Sequence, residues 1–297
     1  MLDINQIIKN LVNITNLLIS RFISTQLQSG LNSRKKEREI MSSKPVIVQK
    51  KDKIATLTLN RPDVMNAMSK EMIEGLWDAV KDLAADESIG VVILRGAGNH
   101  FCSGADINLF AGSIPSDEWV VAMKGVGKIV RTLREMPQPV ITMLKGVAVG
   151  GGANLALAAD FVVAAENTRL CEIFINIGAI LDYGGHYFLP RLVGLAKARE
   201  LAMLGDEIDG KTAASIGLIY KSVPEDQLEA EVEALANTLA HKPPLALRLI
   251  KEGLENSFDM SLKQVLDWEA AHQSIALQTP EHKAIVKFFL ESKKDKS

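Results

Sequence analysis

The chain has 297 residues, 47% of them hydrophobic and 24% charged, which is enough to bury one large core or two small ones. A formal net charge of −2 excludes a global positive field directed at nucleic acid. Two cysteines, Cys102 and Cys171, make neither a disulfide framework nor a metal-ligand pattern, so a reduced, cytoplasmic setting is the default.

Residues 1–40 differ from the rest. Asp3 is the only acid before Glu37, and Ile7 to Ile23 mixes apolar and polar residues at roughly helical spacing. Lys9, Asn10, Asn13, Asn16 and Arg21 interrupt it too often for a bilayer span. An organellar transit peptide would have this acid-poor, amphipathic character. The other reading is a leader outside the working protein: Lys36-Glu37 can be encoded as AAG-GAG, a bacterial ribosome-binding sequence shortly before Met41. We expect translation to start at Met41, and the mass of the native protein tests this.

From Val46 the chain turns strand-like, with Val46-Ile-Val48 and the alternating Ile54 to Leu59 separated by a lysine-rich turn. Ser69 opens a helical pattern in which Met72, Ile73, Leu76, Ala79, Val80 and Leu83 share one face. A strand at 91–94 follows, then a loop through Ala105. Phe110 to Ser116, with Gly112, Ser113 and Pro115, reads as a loop or lid ahead of a helix from about Asp117 to Glu135.

The centre of the chain is the run from Val140 to Pro190. The strand Val140 to Leu144 breaks into Gly150, Gly151 and Gly152 and resumes as an alanine-rich helix. The first N–H groups of a helix lack intrahelical acceptors and carry partial positive charge, so they stabilise an oxygen that becomes negative. Glycine lets such an oxygen approach the backbone closely. The competing reading of a triple glycine is close packing alone. After Pro190 the patterns are helical: Ala196–Leu204, Gly210–Ile216, Asp226–Ala240, Pro244–Asn256, Leu262–Leu277 and Pro280–Glu291. Alternating strands and helices argue for an α/β fold.

The triple glycine taken with Asn99-His-Phe-Cys-Ser-Gly-Ala-Asp-Ile107 resembles the enoyl-CoA hydratase/isomerase superfamily, usually called the crotonase family. Leu59-Asn-Arg-Pro62, Asn66, Pro139-Val140, Ala159-Asp160 and Leu189-Pro-Arg-Leu-Val-Gly194 extend the resemblance over roughly residues 45–292. It implies a spiral of ββα units over 41–195 and a helical oligomerisation segment over 196–297 that builds homotrimers, often paired as hexamers. It also implies an acyl-CoA substrate, an oxyanion hole formed by the Ala105 and Gly151 N–H groups, and no cofactor or metal beyond the CoA moiety. No nucleic acid or membrane is implied as a partner of the core.

Hydratases of this family use two glutamates. Here the first slot is Asn154 and the second aligns with Phe174, and neither can abstract a proton. A third slot carries an acid: in Gly178-Ala-Ile-Leu-Asp-Tyr-Gly-Gly185, Asp182 stands where several isomerases of the family keep theirs. The arrangement looks most like the single-aspartate isomerases of the phenylacetate pathway. It implies a 3-enoyl to 2-enoyl-CoA isomerase in which Asp182 removes a proton from C2 and returns it at C4. The competing reading makes Asp182 the cap of the helix that begins near Gly184.

Asn154, Phe174 and Tyr183 fall in the acyl pocket, with Tyr183, His186 and Tyr187 departing from the smaller or polar residues common there. Arg61 and Lys293, or Lys294, are the matches for CoA-binding positions, and Phe288-Phe289 for an acyl or adenine wall. Glu172, two residues before Phe174, would reach the pocket through a local register shift; the favoured reading is an exposed strand-end carboxylate. A dehalogenase is disfavoured because no His lies between Asp106 and Pro139; His100 precedes the loop. The alternatives to an isomerase are an enoyl-CoA hydratase, or a silent homologue that binds acyl-CoA or acyl-carrier protein.

Overall fold

The structure is a computed structural model that describes residues 44–110 and 114–294, with Lys293 and Lys294 described as backbone only. The leader with Met41 lies outside the described residues, as does the middle of the Phe110 to Ser116 loop.

Among the described residues, nine strands divide between two sheets. The larger holds β1 (Val46–Lys51), β2 (Ile54–Leu59), β3 (Val91–Gly96), β4 (Val140–Leu144), β6 (Phe161–Ala165) and β9 (Lys221–Val223), in that spatial order. In this sheet the β1/β2 hairpin is antiparallel and every later pairing is parallel. A smaller sheet places β7 (Arg169–Cys171) between β5 (Val147–Val149) and β8 (Glu207–Asp209).

Parallel strands covered on both faces read as unbroken apolar runs, which is why Val91 to Leu94 and all of β4 are buried. Their side chains alternate. Val92 and Leu94 point into one core with Met72, Leu76, Val80 and Leu83 of α1 (Lys70–Ala84) and Ile129 and Leu133 of α2 (Ser116–Glu135). Val91 and Ile93 face a second core built with Leu228, Val232 and Ala236 of α6 (Leu228–Ala240). The Ser69 side chain accepts from Met72 N–H, so the predicted start of α1 is a capped one.

Between these lie α3 (Gly151–Leu157), α4 (Gly185–Leu204) and α5 (Gly210–Ser215). A break at Gly194 (φ 72°, ψ 162°) divides α4 into two helical stretches, the first opening at Gly185 next to the expected start near Gly184 and the second carrying the helix expected over Ala196–Leu204. The three-residue strands β5, β7, β8 and β9 were not foreseen; they are too short to show an alternation. The described residues end in α7 (Pro244–Asn256), α8 (Leu262–Ala276) and α9 (Pro280–Lys294), which leave Leu254, Leu262, Phe288 and Phe289 exposed, as is Phe258 between α7 and α8. Phe288 and Phe289 meet edge to face, with centroids 6.1 Å apart.

A charged clasp fastens α7 to the sheet layer. Lys251 Nζ donates to the Leu133 and Gln138 carbonyls, 3.0 Å each, and pairs with Asp160 Oδ2 at 2.8 Å, so all three of its protons have acceptors. Asp160 Oδ2 also accepts from Val140 N–H at 2.8 Å. Arg134 bonds Glu255 through Nε at 3.1 Å and through Nη2, and Glu255 Oε1 accepts from the Tyr187 hydroxyl at 3.2 Å.

Candidate active site

The loop carrying Ala105 is zipped onto β5. Cys102 N–H donates to Val147 O and Val149 N–H to Cys102 O, both 3.0 Å. On its other side Met68 N–H donates to Gly104 O at 2.8 Å and Asp106 N–H to Met68 O at 3.0 Å. Ala105 N–H, between two bonded neighbours, takes no part in this ladder among the described residues. β5 leads directly into the glycine turn, whose Gly150 N–H is tied to Cys171 O at 2.9 Å while Gly151 N–H opens α3 with no backbone acceptor among the described residues. The loop and the turn thus flank one short strand, each presenting a free backbone donor.

Arg61 secures the loop from behind. Its Nη1 donates to the Ala67 carbonyl at 2.7 Å and to Asp106 Oδ2 at 2.8 Å. This guanidinium holds the Asp106 carboxyl below the usual carboxylate range. The predicted CoA-binding Arg61 is therefore also a brace for the residue next to Ala105, a role its sequence context did not reveal.

Opposite the turn stands the Asp182-Tyr183 corner. A Cβ placed on Gly151 would lie 3.0 Å from the Tyr183 ring and 3.2 Å from Asp182 Oδ1, so a larger residue there would push one of them aside by a few tenths of an ångström. Tyr183 holds a left-handed φ of 47° and is followed by Gly184 at 86°, a bend that turns both side chains back onto α3. Gly184, not Asp182, precedes the helix, and no side chain caps it. Asp182 contributes its backbone carbonyl to Gly185 N–H at 2.9 Å, while its buried Oδ1 has no hydrogen-bond partner. The capping reading of its carboxylate does not hold. Burial raises the Asp182 carboxyl to about 6.

Asn154 is fully buried one turn into α3, and a Cβ on Gly185 would come 2.5 Å from its Nδ2. That amide nitrogen donates to Glu172 Oε2 at 3.2 Å. Here the sequence expectation is corrected: Glu172 is not an exposed strand-end carboxylate but 1% exposed. It follows β7 and turns inward where the chain enters a 3₁₀ turn over Ile173–Ile177. Burial pushes its carboxyl up to about 8, and the Asn154 amide opposes this less than burial and the nearby Asp182 charge promote it. Only the inward turn distinguishes Glu172 from a surface acid, and a single residue after a short strand leaves no periodicity from which to read that.

Phe174 is buried, its ring 3.6 Å from where a Cβ on Gly150 would sit, so the second glutamate slot of the family holds a wall of the glycine turn. Tyr183 is 6% exposed with an unpartnered hydroxyl, and burial raises its pKa. Asn154, Phe174, Asp182 and Tyr183 thus come together around Gly150 and Gly151. His100 does not join them: its Nδ1 faces Val147 N–H at 3.3 Å. Lys293 lies near the end of α9, and its side chain is outside the described residues.

A family model described as enoyl-CoA hydratase/isomerase matches residues 49–296. The 1,2-epoxyphenylacetyl-CoA isomerase of Escherichia coli is 35% identical over 241 residues, 80% of this chain and 92% of the relative. The crotonyl-CoA hydratase of Syntrophomonas wolfei is 32% identical over 255 residues, 86% and 98%. A crystal structure of an enoyl-CoA hydratase from Bacillus anthracis superposes with a TM-score of 0.79 at 31% identity, covering 84% of this chain and 96% of that one.

Proposed function

The chain belongs to the enoyl-CoA hydratase/isomerase family, and within it we propose that it moves a double bond, converting 3-enoyl-CoA to 2-enoyl-CoA with Asp182 as general base and acid. The observation that carries this reading is the Asp182 carboxylate, whose buried Oδ1 has no hydrogen-bond partner and packs against Gly151 while positions 154 and 174 hold no acid.

Asp182 takes the proton from C2 as that C–H bond breaks. The negative charge passes to the thioester oxygen, held by Ala105 and Gly151 N–H, and the dienolate takes the same proton back at C4. A carboxyl near 6 suits this work: it is ionised at neutral pH and still basic enough to compete for a carbon-bound proton. The chemistry needs no group beyond the CoA moiety, for which Arg61 and Lys293 supply cationic contacts. The exposed apolar faces of α7 to α9 would be covered in a homotrimer or hexamer, and the cytoplasm is the compartment we assign. Among the described residues no helix is long and apolar enough to cross a membrane.

Hydration is the second reading, favoured by one observation: Glu172 brings a second carboxyl to the site. The two separate when 3-hexenoyl-CoA and 2-hexenoyl-CoA are incubated with the full chain and with Asp182→Asn in heavy water. Interconversion without gain of water, lost in the variant, is expected. Formation of 3-hydroxyacyl-CoA that survives the substitution would replace this reading with hydration. If acyl-CoA binds without turnover, the chain is a binding homologue.

A further inference from the structure

We propose that Glu172 is a positioning residue that holds the resting proton of the site, leaving Asp182 as the one charged group when substrate arrives. The proposal rests on the isomerase reading above and adds a residue to it.

Hydrogen-bond accounting carries the argument. Among the described residues five buried side-chain polar atoms lack partners, and four of them belong to this site: Asn154 Oδ1, Glu172 Oε1, Asp182 Oδ1 and Tyr183 Oη. Were both carboxyls ionised, three of the four could only accept and the tyrosine alone could donate. A proton on Glu172 Oε1 removes one of the three unmatched buried acceptors together with the charge it would carry. Glu172 Oε2 is already occupied by the Asn154 amide, which fixes the carboxyl so that Oε1 is the free oxygen.

The surroundings agree. The groups that bear on Glu172 are the Asn154 amide from α3, the Asp182 carboxyl from the bend before α4, and the Cys171 thiol beside it on β7. None is a cation. Two adjacent carboxylates in one buried place without a positive neighbour cannot both ionise cheaply, so one keeps its proton. Glu172 is 1% exposed whereas Asp182 is only half-buried, so burial disfavours the charged form more at Glu172, which puts the proton there.

A neutral Glu172 bears on the reaction in two ways. It leaves the dienolate facing a single carboxyl that is itself neutralised by the proton it has taken, whereas an ionised Glu172 would oppose the developing oxyanion. It also cannot act as the base that activates water, which weighs against hydration. Glu172 keeps its own proton throughout the shift from C2 to C4.

Two readouts on the full chain test this. The first is infrared: at pH 7 a protonated-carboxyl band is expected in wild type and in Asp182→Asn, absent from Glu172→Gln and fading in wild type as pH passes about 8. The second is the pH dependence of kcat/KM with 3-hexenoyl-CoA. Wild type should fall about tenfold per pH unit on the alkaline side. Glu172→Gln, neutral at every pH, should lose that fall while keeping the acidic limb, with kcat lowered a few-fold by the altered hydrogen bonding. A merely structural glutamate would change stability or kcat and leave the alkaline limb in place.

No protonated-carboxyl band in wild type at pH 7, or an alkaline limb that persists in Glu172→Gln, overturns the proposal. Absence of turnover on either substrate overturns the isomerase reading instead, and the infrared band still decides where the proton sits.

Discussion

Asp160 and Asp182 are both aspartates drawn well out of solvent, at opposite ends of the α3 neighbourhood, and their surroundings have nothing in common. Asp160 sits between Lys251 and Arg134, takes a backbone N–H as well, and belongs to a clasp in which the lysine has an acceptor for every proton. Asp182 sits beside another carboxyl and an unpartnered tyrosine hydroxyl, with no cation among the causes acting on it. Arg134 is held charged because its bonds to Glu255 and the Asp160 charge outweigh the burial that opposes it. A buried charge with a full set of partners holds helices together. A buried charge without partners is a cost to the fold, and such costs concentrate where chemistry is done.

The comparison breaks first on substitution. Asp182→Asn should lower kcat by about a thousandfold while leaving the melting temperature unchanged or higher, because the amide removes a strained charge and no contact. Asp160→Asn should do the reverse. It leaves Lys251 and Arg134 facing an uncharged group, costs about 3 kcal/mol of stability, and changes kcat of the remaining folded protein little. Denaturant melts and steady-state rates on both variants check the pair; a large kcat loss at Asp160 with stability intact would erase the distinction.

How much of this was legible follows from range. The oxyanion donors and Asp182 stand in local patterns, a glycine turn and a short acid-bearing bend, so neighbours in sequence reveal them. The clasp was not legible, since Lys251 meets Leu133 across 118 residues and Arg134 meets Glu255 across 121. Glu172 was misplaced for a different reason. Its burial is set by an 18-residue jump to Asn154 and by the bend at Tyr183, and a non-glycine residue in the left-handed region gives no warning in sequence.

A second effect sharpens the comparison through pH. Asp182 is raised from 3.8 to about 6 and Glu172 from 4.5 to about 8, so the folded protein holds protons there that the unfolded chain releases. Stability from these groups is therefore greatest below about pH 4 and declines as pH rises towards 8, opposite in sign to an aspartate held by cations. Relative to wild type, Asp182→Asn combined with Glu172→Gln should gain on the order of 5 kcal/mol between pH 5 and pH 8. Paired melts at the two pH values measure it, and equal differences at both would mean that neither carboxyl is perturbed.

The smallest effect concerns Tyr183, whose ring packs on Gly151 and whose hydroxyl has no hydrogen-bond partner among the described residues. If the hydroxyl served the fold, Tyr183→Phe would destabilise. Because it has no partner to lose, the substitution should instead raise stability by about 1 kcal/mol, the desolvation cost of one hydroxyl, with the ring and its left-handed backbone retained. A fall in kcat/KM accompanying that gain would mark the hydroxyl as a donor reserved for the acyl group. A gain with unchanged kinetics would leave the ring as a wall. A loss of stability would show that the hydroxyl is bonded in the folded protein, and that the site resembles the satisfied Asp160 clasp more than its contrast.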